Sequence, residues 1–341
     1  MANRDIVAIG TSAGGVQALT FLAKQFPPQF PASVLVTIHL PSEIRSTLDE
    51  VLSWAGPLPA QFAGNGDVLK RGRIYVAPPN RHLIVDGHRL ALGEGARENN
   101  ARPAIDPMLR SAAVCCGART VGVVLTGTLG DGASGLCAVR RAGGISVVQD
   151  PEDAEFSEMP LTALKRTQPD HVVRLADMPA LLNGLVHQRT GEVTPVPRSF
   201  KFEVDMARGG HATMDEMDSI GRRSVLACPD CGGVMWEIDE GELSRFRCHV
   251  GHAYTAEMMS LALDENLRRA LARAERALEE RAALAQKLNK QALKAGHTML
   301  AETWAEKVHE FEREMDIIRT SIRRMDRLAT DIDAAKRAVA G

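Results

Sequence analysis

The sequence predicts an α/β fold, with a doubly wound, mostly parallel sheet followed by a small cysteine-rich module and a C-terminal helical hairpin. From Asp5 to about Val186, apolar strand-like runs alternate with helical patterns, which is typical of a parallel sheet with helices on both faces. Three cysteines then occur in a polar, glycine-rich stretch. From Thr255 onward the chain is rich in Ala, Glu, Leu, Arg and Lys and lacks proline, which indicates long helices.

Composition and charge exclude several classes of protein. The 341 residues, 45% of them hydrophobic, are enough for two domains or for one domain with an appendage. The net charge of -2, from 41 basic and 43 acidic residues, gives no broad positive surface for nucleic acid. No apolar run reaches the roughly 18 residues that span a bilayer, and the N-terminus has no signal pattern. We therefore expect a cytoplasmic protein with no membrane span.

The elements of the predicted sheet follow from hydrophobic patterns. Apolar runs predict four parallel strands, at Ile6–Ile9, Ser33–Ile38, Val121–Leu125 and Ile145–Val148. Three shorter runs predict an antiparallel meander with a tight turn at Asp86-Gly87: Arg73–Ala77, His82–Val85 and Arg89–Leu92. Helical periodicity predicts helices at Val16–Phe26, Ser42–Trp54, Asp106–Cys116, Ala133–Ala142 and Asp177–His187.

The whole chain is predicted to contain four segments. These are a catalytic-type sheet domain at 1–188, a linker or arm at 189–225, a zinc-ribbon-like module at 226–254 and two helices at 255–341. Within the linker, only Phe200–Val204 has a strand-like pattern. The helices are expected to join near Gly296 and to pack as an antiparallel hairpin through apolar stripes. The same stripes could instead bind a second copy of the chain, so a homodimer stays open. The stripes are Leu267, Leu271, Ala274, Leu278, Ala282, Ala285 and Leu288, and Trp304, Val308, Phe311, Met315, Ile318, Ile322 and Met325.

A glycine-bracketed serine follows the first strand. Gly10 and Gly15 fit a dinucleotide-binding turn, but Ser12 replaces its middle glycine and the second strand ends without an acid for a ribose. The run Gly10–Gly14 instead matches GxSxG, in which small neighbours expose a nucleophilic serine on a tight turn. A glycine-rich turn without chemistry is the alternative.

A nucleophilic serine needs an imidazole base and usually a carboxylate to orient it. In a parallel sheet such groups gather beyond the carboxyl ends of the strands. His39 ends the second strand, and Asp131 lies in the glycine-rich turn after Val121–Leu125. Asp131 could instead cap the helix that begins at Ala133. Asp106 is a weaker candidate for the carboxylate, because it precedes Pro107 at a helix start and capping alone accounts for an aspartate there.

These three motifs, in this order, resemble the catalytic domain of the CheB-type chemotaxis methylesterases, the protein-glutamate methylesterases. Its GxSxGG loop corresponds to Gly10–Gly15, its His-x-Pro motif to His39-Leu40-Pro41 and its aspartate turn to Leu125–Gly132. The resemblance extends from about Asp5 to Val186, through Tyr75-Val76-Ala77-Pro78-Pro79, Arg102-Pro103-Ala104-Ile105-Asp106 and Met159-Pro160. The aspartate turn departs from the usual pattern at Thr128-Leu129-Gly130. A receiver domain does not fit before Asp5 in this sequence.

The resemblance implies a serine hydrolase that acts on glutamate γ-methyl esters of a methylated receptor or other protein and releases methanol, with glutamine deamidation as a related activity. It implies Ser12 as nucleophile, His39 as general base and then acid, and Asp131 as the orienting carboxylate. An oxyanion hole would use the backbone N–H of Ala13 and an amide near Thr128. No cofactor is required for this chemistry. The alternative is a catalytically silent signalling adaptor that works through its C-terminal helices.

The cysteine-rich stretch has metal-ligand spacing. Cys228 and Cys231 form a CxxC knuckle, and Cys248 with His252 forms a second pair, for which His249 is an alternative ligand to His252. The runs Val234–Ile238 and Leu243–Arg247 between the pairs predict a hairpin. Four protein ligands leave no open position for water, so we expect structural rather than catalytic zinc. Free thiols or a redox pair are the alternatives.

Overall fold

The computed structural model describes residues 3–40, 46–191, 194–239 and 244–340, with side chains described up to residue 327. The chain divides into two compact units, Met1–Met259 and Ser260–Gly341. Within the described part, no helix combines the length and the apolar character that crossing a bilayer requires. Two stretches for which the sequence made predictions lie outside the described residues: 41–45, with Pro41 of the His-x-Pro motif and the first residues of the expected helix Ser42–Trp54, and Leu243.

The first unit is built on a seven-stranded sheet whose paired strands are all parallel. Its order is β3-β4-β2-β1-β7-β8-β9. The central strands are buried on both faces, which is why they occur in the sequence as continuous apolar runs. The predicted doubly wound class is confirmed. The strands are β1 Ile6–Thr11, β2 Ser33–Ile38, β3 Ala60–Phe62, β4 Arg73–Val76, β7 Thr120–Val124, β8 Ile145–Gln149 and β9 His171–Val173.

Helices cover both faces of this sheet. Along β1 the side chains alternate, so that Val7 and Ile9 pack in one apolar core and Ile6 and Ala8 in the other. The first core includes residues of α1, α2 and α6, and the second includes residues of α3 and α4. The helices are α1 Gly15–Gln25, α2 Leu48–Ala55, α3 Ile105–Cys116, α4 Ala133–Arg141, α5 Glu158–Thr167 and α6 Met178–His187.

The expected antiparallel meander is wrong for its first strand. β4 lies inside the main sheet, parallel to β2 and β3, and only β5 His82–Asp86 and β6 Arg89–Gly93 form an antiparallel hairpin. Ile74, Tyr75 and Val76 are all buried, as a strand covered on both faces requires. Strands β3 and β9 escaped prediction because three residues carry too little periodicity.

The expected strand at Phe200–Val204 is also wrong. Helix α7 spans Arg198–Arg208, and Phe200, Val204 and Ala207 recur at helical spacing and are buried. Residues 189–225 were expected to be a linker, yet they hold α7, the short helix α8 Met214–Asp218 and most of β10 Arg222–Ala227. The helix ends at Gly209, whose φ of 126° suits glycine.

The cysteine-rich stretch folds as a second, four-stranded sheet in the order β10-β11-β12-β13. β11 Val234–Asp239 and β12 Ser244–Cys248 pair antiparallel, as the hairpin prediction required, and β13 Ala253–Thr255 adds to β12.

The second unit consists of two long antiparallel helices, α9 Ala256–Lys294 and α10 Thr298–Ala340, of which α9 begins in the first unit. The chain reverses at Gly296, where φ is 74°. Ion pairs from Arg319 to Glu275 and Glu279 flank the apolar seam. The seam residues come from the two predicted stripes: Leu278, Ala282 and Ala285, and Val308, Phe311 and Met315.

A buried cluster of charges joins helices α3 and α7 to the four-stranded sheet of the first unit. Glu203 of α7 accepts two hydrogen bonds of 2.8 Å from Arg245 and pairs with Arg247 at 2.9 Å, and both arginines belong to β12. Arg110 of α3 lies 3.6 Å away. Although burial alone would raise it, the three guanidinium groups hold the pKa of Glu203 far below its usual range.

We expect Glu203→Gln to lower the free energy of unfolding by about 3 to 5 kcal/mol at neutral pH, because it leaves buried guanidinium charges uncompensated. The folded-state pKa of Glu203 lies below the unfolded value, so its contribution is complete above about pH 4.5 and is lost as the pH falls. Denaturant titrations at several pH values should show the difference from wild type shrinking below that pH. The exposed Glu152→Gln serves as control, and an equal loss in both variants would contradict the assignment.

Candidate active site

The serine sits where β1 ends and α1 begins. Glycine is required on both sides of it, because a Cβ on Gly10 would lie 2.1 Å from Cγ2 of Ile105 and Gly14 has a φ of 73°. A Cβ on Gly15 would lie 2.5 Å from Oγ1 and Cγ2 of Thr11. The strand therefore turns sharply into the helix and leaves Ser12 half-buried at the carboxyl edge of the sheet.

Thr126, just beyond β7, holds this turn in place. Its carbonyl oxygen accepts hydrogen bonds from the Ser12 N–H at 3.1 Å and from the Thr11 hydroxyl at 2.8 Å. Its own hydroxyl donates to the Ala13 carbonyl at 3.1 Å. The sequence reasoning missed Thr126, although its place directly after a central strand marks the sheet edge where functional groups gather.

His39 connects the serine to the aspartate. It follows β2, the neighbour of β1, so its ring reaches the loop at the end of that strand. Nδ1 lies 3.1 Å from the Ser12 Oγ, and Nε2 lies 2.8 Å from Oδ2 of Asp131. The imidazole keeps 21% of its side-chain surface exposed, whereas Asp131 keeps 1%. The structure thus brings together the three residues that the sequence predicted.

Asp131 is surrounded by donors. Oδ2 accepts from His39 and from the Ile105 N–H at 2.6 Å, and Oδ1 accepts from the Asp106 N–H at 3.2 Å and the Gly132 N–H at 2.9 Å. Asn99 donates its side-chain amide to Oδ1 at 2.9 Å. Although burial alone would raise it, the hydrogen bonds from His39, Ile105 and Asn99 hold the pKa of Asp131 below its usual value.

The capping alternative for Asp131 is answered by these contacts. The carboxylate binds the first N–H groups of α3 rather than serving only the following helix α4. Asp106 does the converse, because it lies in α3 and accepts the Gly135 N–H of α4 at 2.7 Å. Burial, together with the nearby charge of Asp131, raises the pKa of Asp106 to about 7.

Two backbone amides beside the serine are available for a ligand. Among the described residues, none accepts a hydrogen bond from the N–H of Ala13 or of Thr128. The second turn is shaped by Leu129, which has a φ of 70° and donates its N–H to Glu158 at 3.0 Å. Both amides predicted for an oxyanion hole therefore lack an acceptor within the described part of the chain.

A second group of functional side chains lies in the four-stranded sheet and its turns. The ligand atoms of Cys228, Cys231, Cys248 and His252 all lie within 4.8 Å of one another. The sulfurs of Cys231 and Cys248 are 3.8 Å apart, and Nδ1 of His252 is 3.5 Å from the Cys248 sulfur. His249, the alternative ligand, is not in this group.

The sheet, the serine loop and the histidine and aspartate at its edge can be compared with known proteins. The sequence profile of the CheB methylesterase family matches residues 7–182. The chain belongs to the CheB methylesterase family.

Relatives and a solved structure of this family each match about half of this chain. A protein-glutamate methylesterase/protein-glutamine glutaminase from Pyrococcus abyssi is 35% identical over 180 residues, which cover 52% of this chain and 49% of that protein. A relative in Leptospira interrogans is 33% identical over 174 residues and is matched over 90% of its length. The CheB methylesterase catalytic domain of Thermotoga maritima superimposes with a TM-score of 0.52 at 30% identity, covering 55% of this chain and all of that one.

Gly127 of this methylesterase-family site allows the two loops to approach. A Cβ there would lie 2.9 Å from the Ser12 Cβ and 2.4 Å from the Met159 sulfur. We expect Gly127→Ala to displace Ser12 and to slow its modification by a fluorophosphonate, a serine-directed reagent, by at least about 10-fold. Gly184→Ala, on α6 with open space around it, is the matched control. Equal labelling rates in the two variants would show that this close approach does not position the serine.

Proposed function

We propose that this chain is a serine hydrolase that converts glutamate γ-methyl esters on a protein to glutamate and methanol. The observation that carries this assignment is the continuous hydrogen-bonded series from Ser12 through His39 to Asp131, in a member of the CheB methylesterase family. The hydrolysis is assigned to residues 1–188. The names of the relatives favour a methyl-esterified protein as the substrate, and we propose a methylated receptor.

Asp131 sets the protonation of the imidazole. The low pKa of Asp131 keeps its carboxylate ionised, so Nε2 of His39 carries the hydrogen that faces it. In the neutral imidazole with this tautomer, Nδ1 accepts the Ser12 hydroxyl hydrogen. This is the arrangement that nucleophilic attack requires.

In the first half of the reaction the Ser12 Oγ attacks the ester carbonyl carbon, while Nδ1 of His39 takes the hydroxyl proton. The resulting imidazolium is stabilised by Asp131, and it returns that proton to the departing methoxy oxygen, so methanol leaves. In the second half His39 takes a proton from water, whose oxygen attacks the acyl-serine, and the proton then goes back to Ser12. Glutamate is released and every group is restored.

The tetrahedral oxyanion of each half-reaction needs donors that are already in place. We assign this role to the N–H groups of Ala13 and Thr128, which belong to the two turns at Ser12 and have no acceptor among the described residues. The same machinery suits glutamine deamidation, in which ammonia leaves in place of methanol. A silent adaptor is the less favoured function, because nothing in the described site blocks the partly exposed imidazole.

We expect Ser12→Ala and His39→Gln to lower kcat for methanol release from a methyl-esterified receptor fragment by at least about 1000-fold, since each removes a group that takes part in bond formation or proton transfer. Gas chromatography of methanol measures the rate. His88→Gln, on the exposed β5–β6 turn, is the control for histidine loss. Turnover within a few-fold of wild type in either site variant would end the assignment.

We further propose that residues 226–254 bind one structural zinc ion through Cys228, Cys231, Cys248 and His252. A tetrahedral zinc with Zn–S bonds of about 2.3 Å and a Zn–N bond of about 2.05 Å separates two sulfurs by about 3.8 Å and a sulfur from a nitrogen by about 3.5 Å. The cluster has separations of 3.8 Å and 3.5 Å. Three thiolates and one imidazole are also the donors that zinc prefers in structural sites.

Purified protein should contain about one zinc per chain by mass spectrometry of the metal, and Cys231→Ser should lose it, because three ligands hold zinc less tightly than four. His249→Gln, next to the cluster but outside it, should keep the metal. Metal-free protein whose three thiols are reduced and titratable would contradict the site.

A further inference from the structure

The strand that follows the metal cluster is hydrogen-bonded to the residue that holds Asp131. β13 begins at Ala253, directly after His252. The Asn99 N–H donates to the Ala253 carbonyl at 2.7 Å, and the Asn99 Oδ1 accepts the Thr255 N–H at 3.1 Å. The side-chain amide of the same asparagine donates to Asp131. One residue therefore touches both the cysteine module and the carboxylate that orients His39.

We propose, building on the hydrolase function above, that Asn99 is a positioning residue through which the metal-loaded cysteine module fixes Asp131, so that metal loading raises the rate of ester hydrolysis. Cysteine module here means residues 226–254 with the rest of β13. Asn99 does not touch the substrate, and it acts through Asp131 on His39.

The side chain of Asn99 has one satisfied orientation. Its Nδ2 donates to Asp131 at 2.9 Å and to Asp106 at 3.0 Å, while its Oδ1 faces the Thr255 N–H. A rotated amide would place its oxygen against the ionised carboxylate of Asp131 and its NH₂ group against the Thr255 N–H. The residue is 6% exposed, so water does not compensate for a lost partner. A displacement of β13 would therefore move the Asn99 side chain and, with it, the donor that Asp131 accepts from.

Buried ion pairs make a second connection beside the first. Glu98, the neighbour of Asn99, is 1% exposed and pairs with Arg247 at 2.8 Å and with Arg110 at 3.2 Å. Arg247 directly precedes the ligand Cys248, and Arg110 belongs to α3, whose first N–H groups bind Asp131. A shift of β12 would therefore disturb both the backbone next to Asn99 and the helix that Asp131 caps.

Metal would hold this part of the module in place. Cys228 and Cys231 lie in the turn between β10 and β11, whereas Cys248 and His252 flank the turn between β12 and β13. A shared ion ties the two turns together, and the β12–β13 turn is otherwise closed by hydrogen bonds such as that from the Cys248 N–H to the His252 carbonyl, at 3.0 Å. Loss of the ion removes this tie at the start of β13, the strand to which Asn99 is bonded.

The first test compares Asn99→Ala with Asn100→Ala. Both asparagines have a left-handed backbone, with φ of 50° and 61°, but the Asn100 side chain is exposed, so the control carries the same backbone strain without a link to Asp131. We expect Asn99→Ala to lower kcat for methanol release by at least about 10-fold with KM within about twofold of wild type, because the reacting groups are misplaced while substrate binding is intact. Asn100→Ala should match wild type.

The second test asks whether metal and Asn99 act through one route. Cys231→Ser should lack zinc by mass spectrometry of the metal and should turn over as slowly as Asn99→Ala. The double variant should be no slower than the slower single variant, whereas independent effects would multiply. Stripping zinc from the wild-type chain with a chelator gives the same comparison without a substitution, which guards against misfolding of Cys231→Ser.

Failure of this inference is distinct from failure of the proposed function. If Ser12→Ala still releases methanol, the hydrolase assignment is wrong. If Ser12→Ala is silent but Asn99→Ala keeps the kcat of Asn100→Ala, even with a lowered melting temperature, Asn99 is structural only and the positioning role is overturned. Multiplying effects in the double variant would overturn the coupling to the metal.

Discussion

The buried carboxylate of Asp131 is the constraint on which the active-site end of the fold depends. A charge that is 1% exposed must be compensated, and five donors converge on it: from His39 after β2, from the loop before α3, from two residues of α3 and from its own turn. Asp131, just before α4, accepts hydrogen bonds from the first N–H groups of α3, and Asp106 of α3 accepts one from the Gly135 N–H of α4. The N-termini of the two helices are therefore tied to each other. The close packing leaves no space for a side chain at Gly135, where a Cβ would lie 2.6 Å from that of Leu109.

Close backbone approach is the second requirement of the site, and it explains the glycine-rich loops better than anion binding does. Gly10 leaves space for Ile105, whose N–H donates a hydrogen bond to Asp131, and Gly127 leaves space for Ser12. The first residue of α3, Ile105, thus packs beside the serine loop and also binds the carboxylate, so that Ser12 and Asp131 both lie within reach of His39. In a dinucleotide-binding turn the corresponding glycine would admit a phosphate instead.

Much of this arrangement could be predicted from sequence because it is local. Ser12, His39 and Asp131 each follow a strongly apolar strand, and parallel strands place their carboxyl ends together. Asn99 and Thr126 were missed because their roles depend on contacts between distant segments, which no local pattern records. Helix α7 was missed for a related reason: Phe200 and Val204 fit either period over five residues, and its decisive feature, the buried Glu203, acquires partners only from β12 and α3.

Those partners also bear on how the cysteine module relates to the catalytic part. Arg245 and Arg247 of the module are 2% and 0% exposed, and their carboxylates, Glu203 and Glu98, come from outside it. Separated from the sheet, the module would leave the charges of Arg245 and Arg247 without these partners, and Arg110 alone would remain to compensate the buried acids Glu98 and Glu203. Burying charge in pairs across the boundary therefore makes separation costly and joins both parts into the compact unit Met1–Met259. A compositional boundary near residue 226 marks a change of chemistry but not a break in cooperativity, which is the condition under which a metal in one part can influence a carboxylate in the other.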